Sequence, residues 1–249
     1  MNVVINKLDL VSIISKYYLN GMNEAVKWEI KDNKLTIKFT APDKSMIGVV
    51  TYEGFELEDS TVGISNTTQL NKLLAITNGY LSLEYFKQHK LITKLIIADN
   101  QFTLNYALAD TMIIPKAGEY VGDGQYNIEA SLDNESINAI VRAKSALADT
   151  DTVVFKPFIN ADSELQLEML FGGNIEHSNK VSFYLPDITT NNLPDEFKAH
   201  YNSNLIKEIM YCNKDVANCT MGINLDGVMR LYFDNGNTKS EYYLVAKEL

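Results

Sequence analysis

Apolar residues in this chain recur mostly at every second position, in short runs closed by Gly, Asn, Asp or Pro, which is the pattern of half-buried strands. In the first half these runs are Val3 to Asn6, Ala25 to Ile30, Leu35 to Thr40, Ile47 to Tyr52, Thr61 to Ile64, Leu81 to Phe86, Ile92 to Ala98 and Phe102 to Leu108. The second half repeats the style in Tyr126 to Ser131, Thr152 to Phe158, Leu165 to Phe171, Lys180 to Leu185, Phe197 to Tyr201, Cys219 to Asn224, Met229 to Phe233 and Glu241 to Ala246. Turn signals such as Lys31-Asp-Asn, Asp99-Asn and Asp234-Asn-Gly-Asn separate them, and antiparallel meanders follow.

Four segments instead carry the spacing of amphipathic helices. Leu8 to Leu19 puts Leu10, Ile13, Ile14 and Tyr17 on one side and Asp9, Ser12, Lys16 and Asn20 on the other. Asn66 to Asn78 buries Leu70, Leu73 and Leu74 and stops at Gly79, a suitable C′ glycine. Asp133 to Ala148 opens on acids, buries Ile137, Ile140, Val141 and Leu147, and leaves Asn138, Arg142 and Ser145 outside. Ser203 to Lys214, capped by Asn202 or Ser203, buries Leu205, Ile206, Ile209 and Met210 and exposes Asn204, Lys207, Tyr211 and Lys214.

The order strand, helix, strands recurs about four times, the second pair of units echoing the first at a shift of roughly 125 to 135 residues. The expected organisation is a domain over 1–110, a connector over 111–125 and a second domain over 126–249. The connector region, DTMIIPKAGEYVGDGQ, breaks the strand pattern with Pro and Gly, yet its Met112, Ile113 and Ile114 are too apolar for a free linker and should pack on something.

Composition adds bounds. With 46% hydrophobic and 22% charged residues over 249 positions the chain should fold. It lacks an apolar stretch long enough to span a bilayer, and MNVVINKLDL lacks the charged and apolar regions of a leader, so a soluble, unsecreted protein is expected, in the cytoplasm, or the host cytoplasm if phage-encoded. Cys212 and Cys219 have no partner pattern for zinc or a disulfide framework and read as buried thiols. A net charge of −10 opposes DNA binding by phosphate neutralisation, so any nucleic-acid role needs a local basic surface or a geometry that does not rely on affinity.

Three stretches resemble the DNA sliding clamp family, which includes proliferating cell nuclear antigen and the bacteriophage clamps. The C-terminal run NLIKEIMYCNKD, CTMGIN, GVMRLYF and EYYLVAKEL is similar to the family's last helix, strands and Tyr-Tyr-Leu tail, with Ala246 where the family usually has Pro and the acids after it reduced to Glu248. Ile113, Ile114, Pro115 and Lys116 to Tyr120 resemble its interdomain loop, and TVGISNTTQLNKLLAI its step into the second helix of domain one.

The resemblance implies an α+β chain of two similar clamp domains, each built of antiparallel sheets with two amphipathic helices, closing head to tail with further copies into a homotrimeric ring. Helices would line the hole and sheets the outer wall. It implies DNA-facing cations at Lys16, Lys72, Arg142, Lys144, Lys207 and Lys214, although a lysine on a helix face is otherwise a solvated face. Subunits would meet at the edges Phe102 to Ala109 and Lys180 to Pro186, through Phe102, Leu104, Tyr106, Val181, Phe183 and Leu185. Polymerase and clamp-loader tails would dock in an apolar groove between the domains made by Pro42, Met46, Ile47, Met112, Ile113, Ile114, Tyr243, Val245 and Ala246, residues that could equally be plain core. The implied partners are double-stranded DNA in any sequence, a DNA polymerase, a clamp loader and further copies of the chain, with no membrane and no cofactor.

Catalysis has little support. His89, His177 and His200 are scattered, no nucleophile, Walker or metalloprotease motif occurs, and Gly172-Gly173-Asn174 reads as a hairpin turn. The acidic run Glu53, Glu56, Glu58 and Asp59 reads as a solvated face rather than a metal site. Two rival readings stand beside the clamp: a monomeric protein of the same fold that holds DNA by affinity, which the acidity disfavours, and an all-β phage structural protein, which leaves the four helices unexplained.

Overall fold

The computed structural model describes residues 2–89, 91–122, 124–172, 179–194, 196–216 and 218–247. His177, Gly173, Asn174 and Glu248, singled out above, lie outside the described residues. The chain divides into two compact units, Met1–Glu119 with Gly236–Ser240, and Tyr120–Asn235 with Glu241–Leu249.

The first unit contains β1 (Asn2–Asn6), α1 (Lys7–Tyr18), β2 (Val26–Lys31), β3 (Lys34–Thr40), β4 (Met46–Glu53), β5 (Ser60–Ile64), α2 (Thr67–Ala75), β6 (Tyr80–Gln88), β7 (Leu91–Ala98) and β8 (Thr103–Ala107). Its strands form antiparallel ladders in the orders β1-β6-β7-β8 and β5-β2-β3-β4. Alternation does the sorting: on β3 Leu35, Ile37 and Phe39 are buried and the residues between them are half-exposed. Leu10, Ile13, Ile14 and Tyr17 of α1 and Leu70 and Leu74 of α2 complete the core with Trp28 and Phe55. Each such buried Leu or Ile contributes about 1.5–3 kcal/mol relative to exposure.

The second unit contains β9 (Ile128–Asp133), α3 (Asn134–Ala146), β10 (Thr152–Ile159), β11 (Leu165–Phe171), β12 (Val181–Leu185), β13 (Thr189–Thr190), β14 (Ala199–Asn202), α4 (Ser203–Cys212), β15 (Asn218–Ile223), β16 (Val228–Asn235) and, from Glu241 on, β17 (Thr238–Val245). Within it the orders are β14-β10-β11-β12 and β13-β9-β15-β16-β17. Apart from the short β13 and a 3-10 turn at Leu19–Gly21, the described strands and helices of the two units repeat one another in order.

The repeat extends to atoms. Helices α1 to α4 each start on an Asx N-cap: Asn6, Asn66, Asp133 and Asn202 each accept a backbone N–H from the first turn. The first residue of each second helix is a buried hydroxyl bound to the loop before that unit's second strand, β2 or β10. Thr67 donates its Oγ1 to the Glu24 carbonyl at 3.0 Å, and Ser203 its Oγ to the Thr150 carbonyl at 2.7 Å. Such bonds hold α2 and α4 to the sheets by the same device.

Candidate functional site

In the first unit the helices present few cations. Lys16, expected on the open face of α1, is 3% exposed. It stands three residues after buried Ile13 and three before buried Leu19, so that part of the helix lies against the core and takes in the lysine stem. Lys7 holds α1 to the end of α2, its ammonium donating to the carbonyls of Ala75 and Thr77. Lys72 on α2 is exposed.

In the second unit Lys144 is a second correction: it is 2% exposed, and its Nζ donates to the carbonyls of Leu147 at 3.1 Å and Ala148 at 2.7 Å. It therefore closes the C-terminus of its own helix, where a cation meets the negative end of the dipole. Burial lowers its pKa, and the nearby Lys207 pushes in the same direction against Asp149 and Asp151. Arg142 is exposed on α3. Lys207 on α4 is half-buried with Glu208 at 3.5 Å, and Lys214 lies 4.6 Å over the exposed Tyr211 ring. Lys72, Arg142, Lys207 and Lys214 are the expected cations that reach solvent.

The segment after β8 folds back over the first unit. Ala109 donates its N–H to Gly63 at 2.9 Å, and a Cβ on Gly63 would come within 2.6 Å of the Ala109 carbonyl, so only glycine fits that crossing. Further on, Gly118 N–H bonds Thr40 Oγ1 at 2.8 Å, and Glu119 pairs with Lys38 at 3.0 Å. That ion pair raises the Lys38 pKa and lowers that of Glu119. Ile114 is buried at 4% beside Gly63, whereas Met112 and Ile113 stand 86% and 72% exposed. Two expected groove residues are thus corrected: Met46, at 0%, and Ile114 are core, because they face inward in their segments. Pro42 is exposed and Ile47 half-buried.

In the second unit Tyr120 stacks on Tyr243 with centroids 4.3 Å apart, and Tyr243 donates its hydroxyl to Glu241, which also holds Arg230. Burial, then the Glu241 bond, push the Tyr243 hydroxyl up to about 12. Val245 is exposed and Ala246 half-buried, the latter donating its N–H to Gly227 at 2.8 Å.

The expected edge strands are edges: β8 ends its sheet, and β12 ends its own. Neither strand, TLNYA or VSFYL, carries a charge or a proline. The bonds from Leu108 N–H to Thr93 and from Asp99 N–H to Phe102 set the ladder so that backbone groups of Thr103, Asn105 and Ala107 point away from β7. The side-chain assignments need correcting. Leu104 at 7%, Tyr106 at 4% and Leu185 at 2% face the core of their own units, since alternate residues on a strand point inward. Tyr106 is further fixed by exchanging hydrogen bonds with the Asn66 backbone. Phe102 is 40% exposed, and Val181 and Phe183 are half-buried.

Sequence reasoning missed Phe158 and Tyr184, whose rings lie 5.2 Å apart on the outer face of β10-β11-β12 beside the buried carboxylate of Glu168. Glu168 pairs with Lys156 at 2.8 Å and accepts from Ser182 at 2.6 Å. The available signal was an aromatic at the second-position spacing of each strand, Phe158 two residues after Lys156 on β10 and Tyr184 two after Ser182 on β12. Two acids of the run that starts at the last residue of β4 are used singly, Glu53 with Lys34 at 2.9 Å and Glu58 with Lys87 at 2.6 Å.

No protein-family model and no curated protein sequence matches the chain. Solved structures do resemble it. Proliferating Cellular Nuclear Antigen (PCNA) from Entamoeba histolytica is similar over 99% of this chain and 98% of its own, with TM-score 0.78 and 16% identity. A. fulgidus PCNA, solved with the C-terminal region of FEN-1 bound, is similar over 100% and 98%, with TM-score 0.74 and 16% identity. A chain of the PCNA2-PCNA3 complex from Sulfolobus tokodaii is similar over 99% of both chains, with TM-score 0.73 and 12% identity. This chain has the fold of PCNA, the sliding-clamp fold, with two similar domains of antiparallel sheets and paired helices.

Proposed function

We propose that the chain is one subunit of a sliding clamp that encircles duplex DNA and tethers a replicative polymerase, with no catalysis of its own. The observation that carries this reading is the end-to-end likeness to PCNA in both chains' lengths. A ring of three copies, six similar domains in all, is the assembly we infer, made where the uncharged edge β8 of one copy meets β12 of the next. Unblunted edges of this kind favour pairing with another strand.

Charge fits retention by topology rather than by affinity. With a net charge of −10 and only Lys72, Arg142, Lys207 and Lys214 reaching solvent from the candidate set, the helices offer a few weak, sequence-blind phosphate contacts. Such contacts suffice where a closed ring prevents escape, and they allow sliding. Excess acid elsewhere keeps DNA off the outer wall. Met112 and Ile113 on the connector and Val245 near the C-terminus are the exposed apolar groups we assign to partner tails, of the kind seen bound to A. fulgidus PCNA. A clamp loader to open the ring and a bacteriophage origin, with the host cytoplasm as the site of action, complete the reading.

Reversing the charge at Lys72, Arg142, Lys207 and Lys214 tests it. Processive synthesis on primed circular DNA should fall while the assembly stays intact. Unchanged processivity would remove these residues from the DNA-facing surface.

A further inference from the structure

Because the units repeat one topology, positions in one have counterparts in the other. Strand β1 corresponds to β9: each runs through an Asx N-cap into the first helix, and each pairs antiparallel with the strand after the second helix. Asn6 lies opposite Tyr80, and Asp133 opposite Asn218. The far edge of β9 is covered by β13, with Thr189 opposite Glu129, Thr190 opposite Ile128 and a further bond from Asn191 N–H to Asn127 at 2.9 Å. Among the described residues no strand covers the far edge of β1. The bond from Lys7 N–H to the Gly79 carbonyl at 2.9 Å sets the ladder so that backbone groups of Asn2 and Val4 face that open edge.

The side chains there differ as well. Val4 is 65% exposed and Tyr80 70%, diagonal neighbours on one sheet face, with Leu8 at 73% where α1 begins and Ile76 at 48% where α2 ends. Lys7 ties those two helix ends together. The counterparts in the second unit are Ser131 for Val4, Glu135 for Leu8 and Asn218 for Tyr80. The topology therefore does not require apolar residues at these positions, and a cluster of large exposed ones marks a surface for contact.

We propose that the open edge of β1, with Val4, Tyr80, Leu8 and Ile76, docks an extended segment of another protein, which adds a strand to β1 as Thr189–Thr190 does to β9. Main-chain bonds to Asn2 and Val4 hold the segment, and apolar side chains at its alternate positions cover Val4 and Tyr80. The exposed charge on the edge ladder is acidic, Glu84 opposite Asn2, while the Lys7 ammonium is engaged by carbonyls. The segment that fits is thus an apolar strand flanked by Lys or Arg. The site does not depend on the clamp reading.

The probe is a fluorescent peptide alternating valine and threonine between terminal lysines, titrated against the full chain. Saturable binding with Kd of roughly micromolar order is expected, with hydrogen exchange slowed at Asn2–Asn6. The variant carrying Val4→Ser and Leu8→Glu places the second unit's own residues in the first, so the fold should accept it; its Tm should stay unchanged while peptide affinity falls at least about tenfold. Val4→Ser alone should fall less. Unchanged affinity in the variant, protection at β8 or β12 in place of β1, or no binding at millimolar peptide would each overturn the proposal. So would a variant that changes only the association state, because the patch would then belong to a second copy of the chain.

Discussion

Lys144 and Arg142 stand two residues apart on α3 and do different work. Lys144 is buried and caps the helix it belongs to, and Arg142 reaches solvent. Lys144→Met should lower stability by about 1 kcal/mol through the lost carbonyl bonds, seen as a lower Tm, with DNA binding unchanged; Arg142→Ala should weaken DNA binding with no change in Tm. Helical spacing located both residues but could not separate them, because a lysine in the last turn of a helix can curl back on the carbonyls three and four residues ahead. The same limit applies to Lys16, whose long stem lets it sit on the buried side. Glu168 shows a second effect that periodicity cannot show. Burial alone would raise its carboxyl, but the Lys156 ammonium and the Ser182 and Tyr184 hydroxyls hold it below the ordinary glutamate range. A carboxyl depressed in the folded state stabilises above its unfolded value and loses that contribution as pH falls through the folded one. Lys156→Ala should therefore cost about 1 kcal/mol at neutral pH, and denaturant titrations should show the gap from the parent closing as the medium becomes acidic.

At the level of elements, strands and helices were legible because their period is written into side-chain polarity, and the four Asx caps mark where each helix starts. The edge positions of β8 and β12 came from family likeness, and strand alternation corrected which of their side chains are free. Strand β13 was missed, since two threonines between turn residues carry no periodic signal. The connector's split into exposed Met112 and Ile113 and buried Ile114 was equally hidden, because it depends on Gly63 admitting the Ala109 crossing. The ladder of β8 gives a clean test of edge pairing. Asn105 turns its N–H away from β7, so Asn105→Pro leaves the unit's own hydrogen bonds in place and blocks a strand from adding there. The variant should keep its far-UV dichroism and Tm, and size-exclusion with light scattering should show it as a monomer.

For the whole molecule, an acidic chain and a DNA partner are compatible when closure, not attraction, keeps the two together. Closure needs the open edges of one copy to meet those of the next without end, which a ring achieves and a free chain does not. The salt dependence of retention should then be shallow for a closed circular duplex, and loss should be rapid from a linear one with free ends. The most direct test of the account is the mass of the full chain in native mass spectrometry: three copies in a closed assembly is the expected result, and a monomer at every concentration would contradict it.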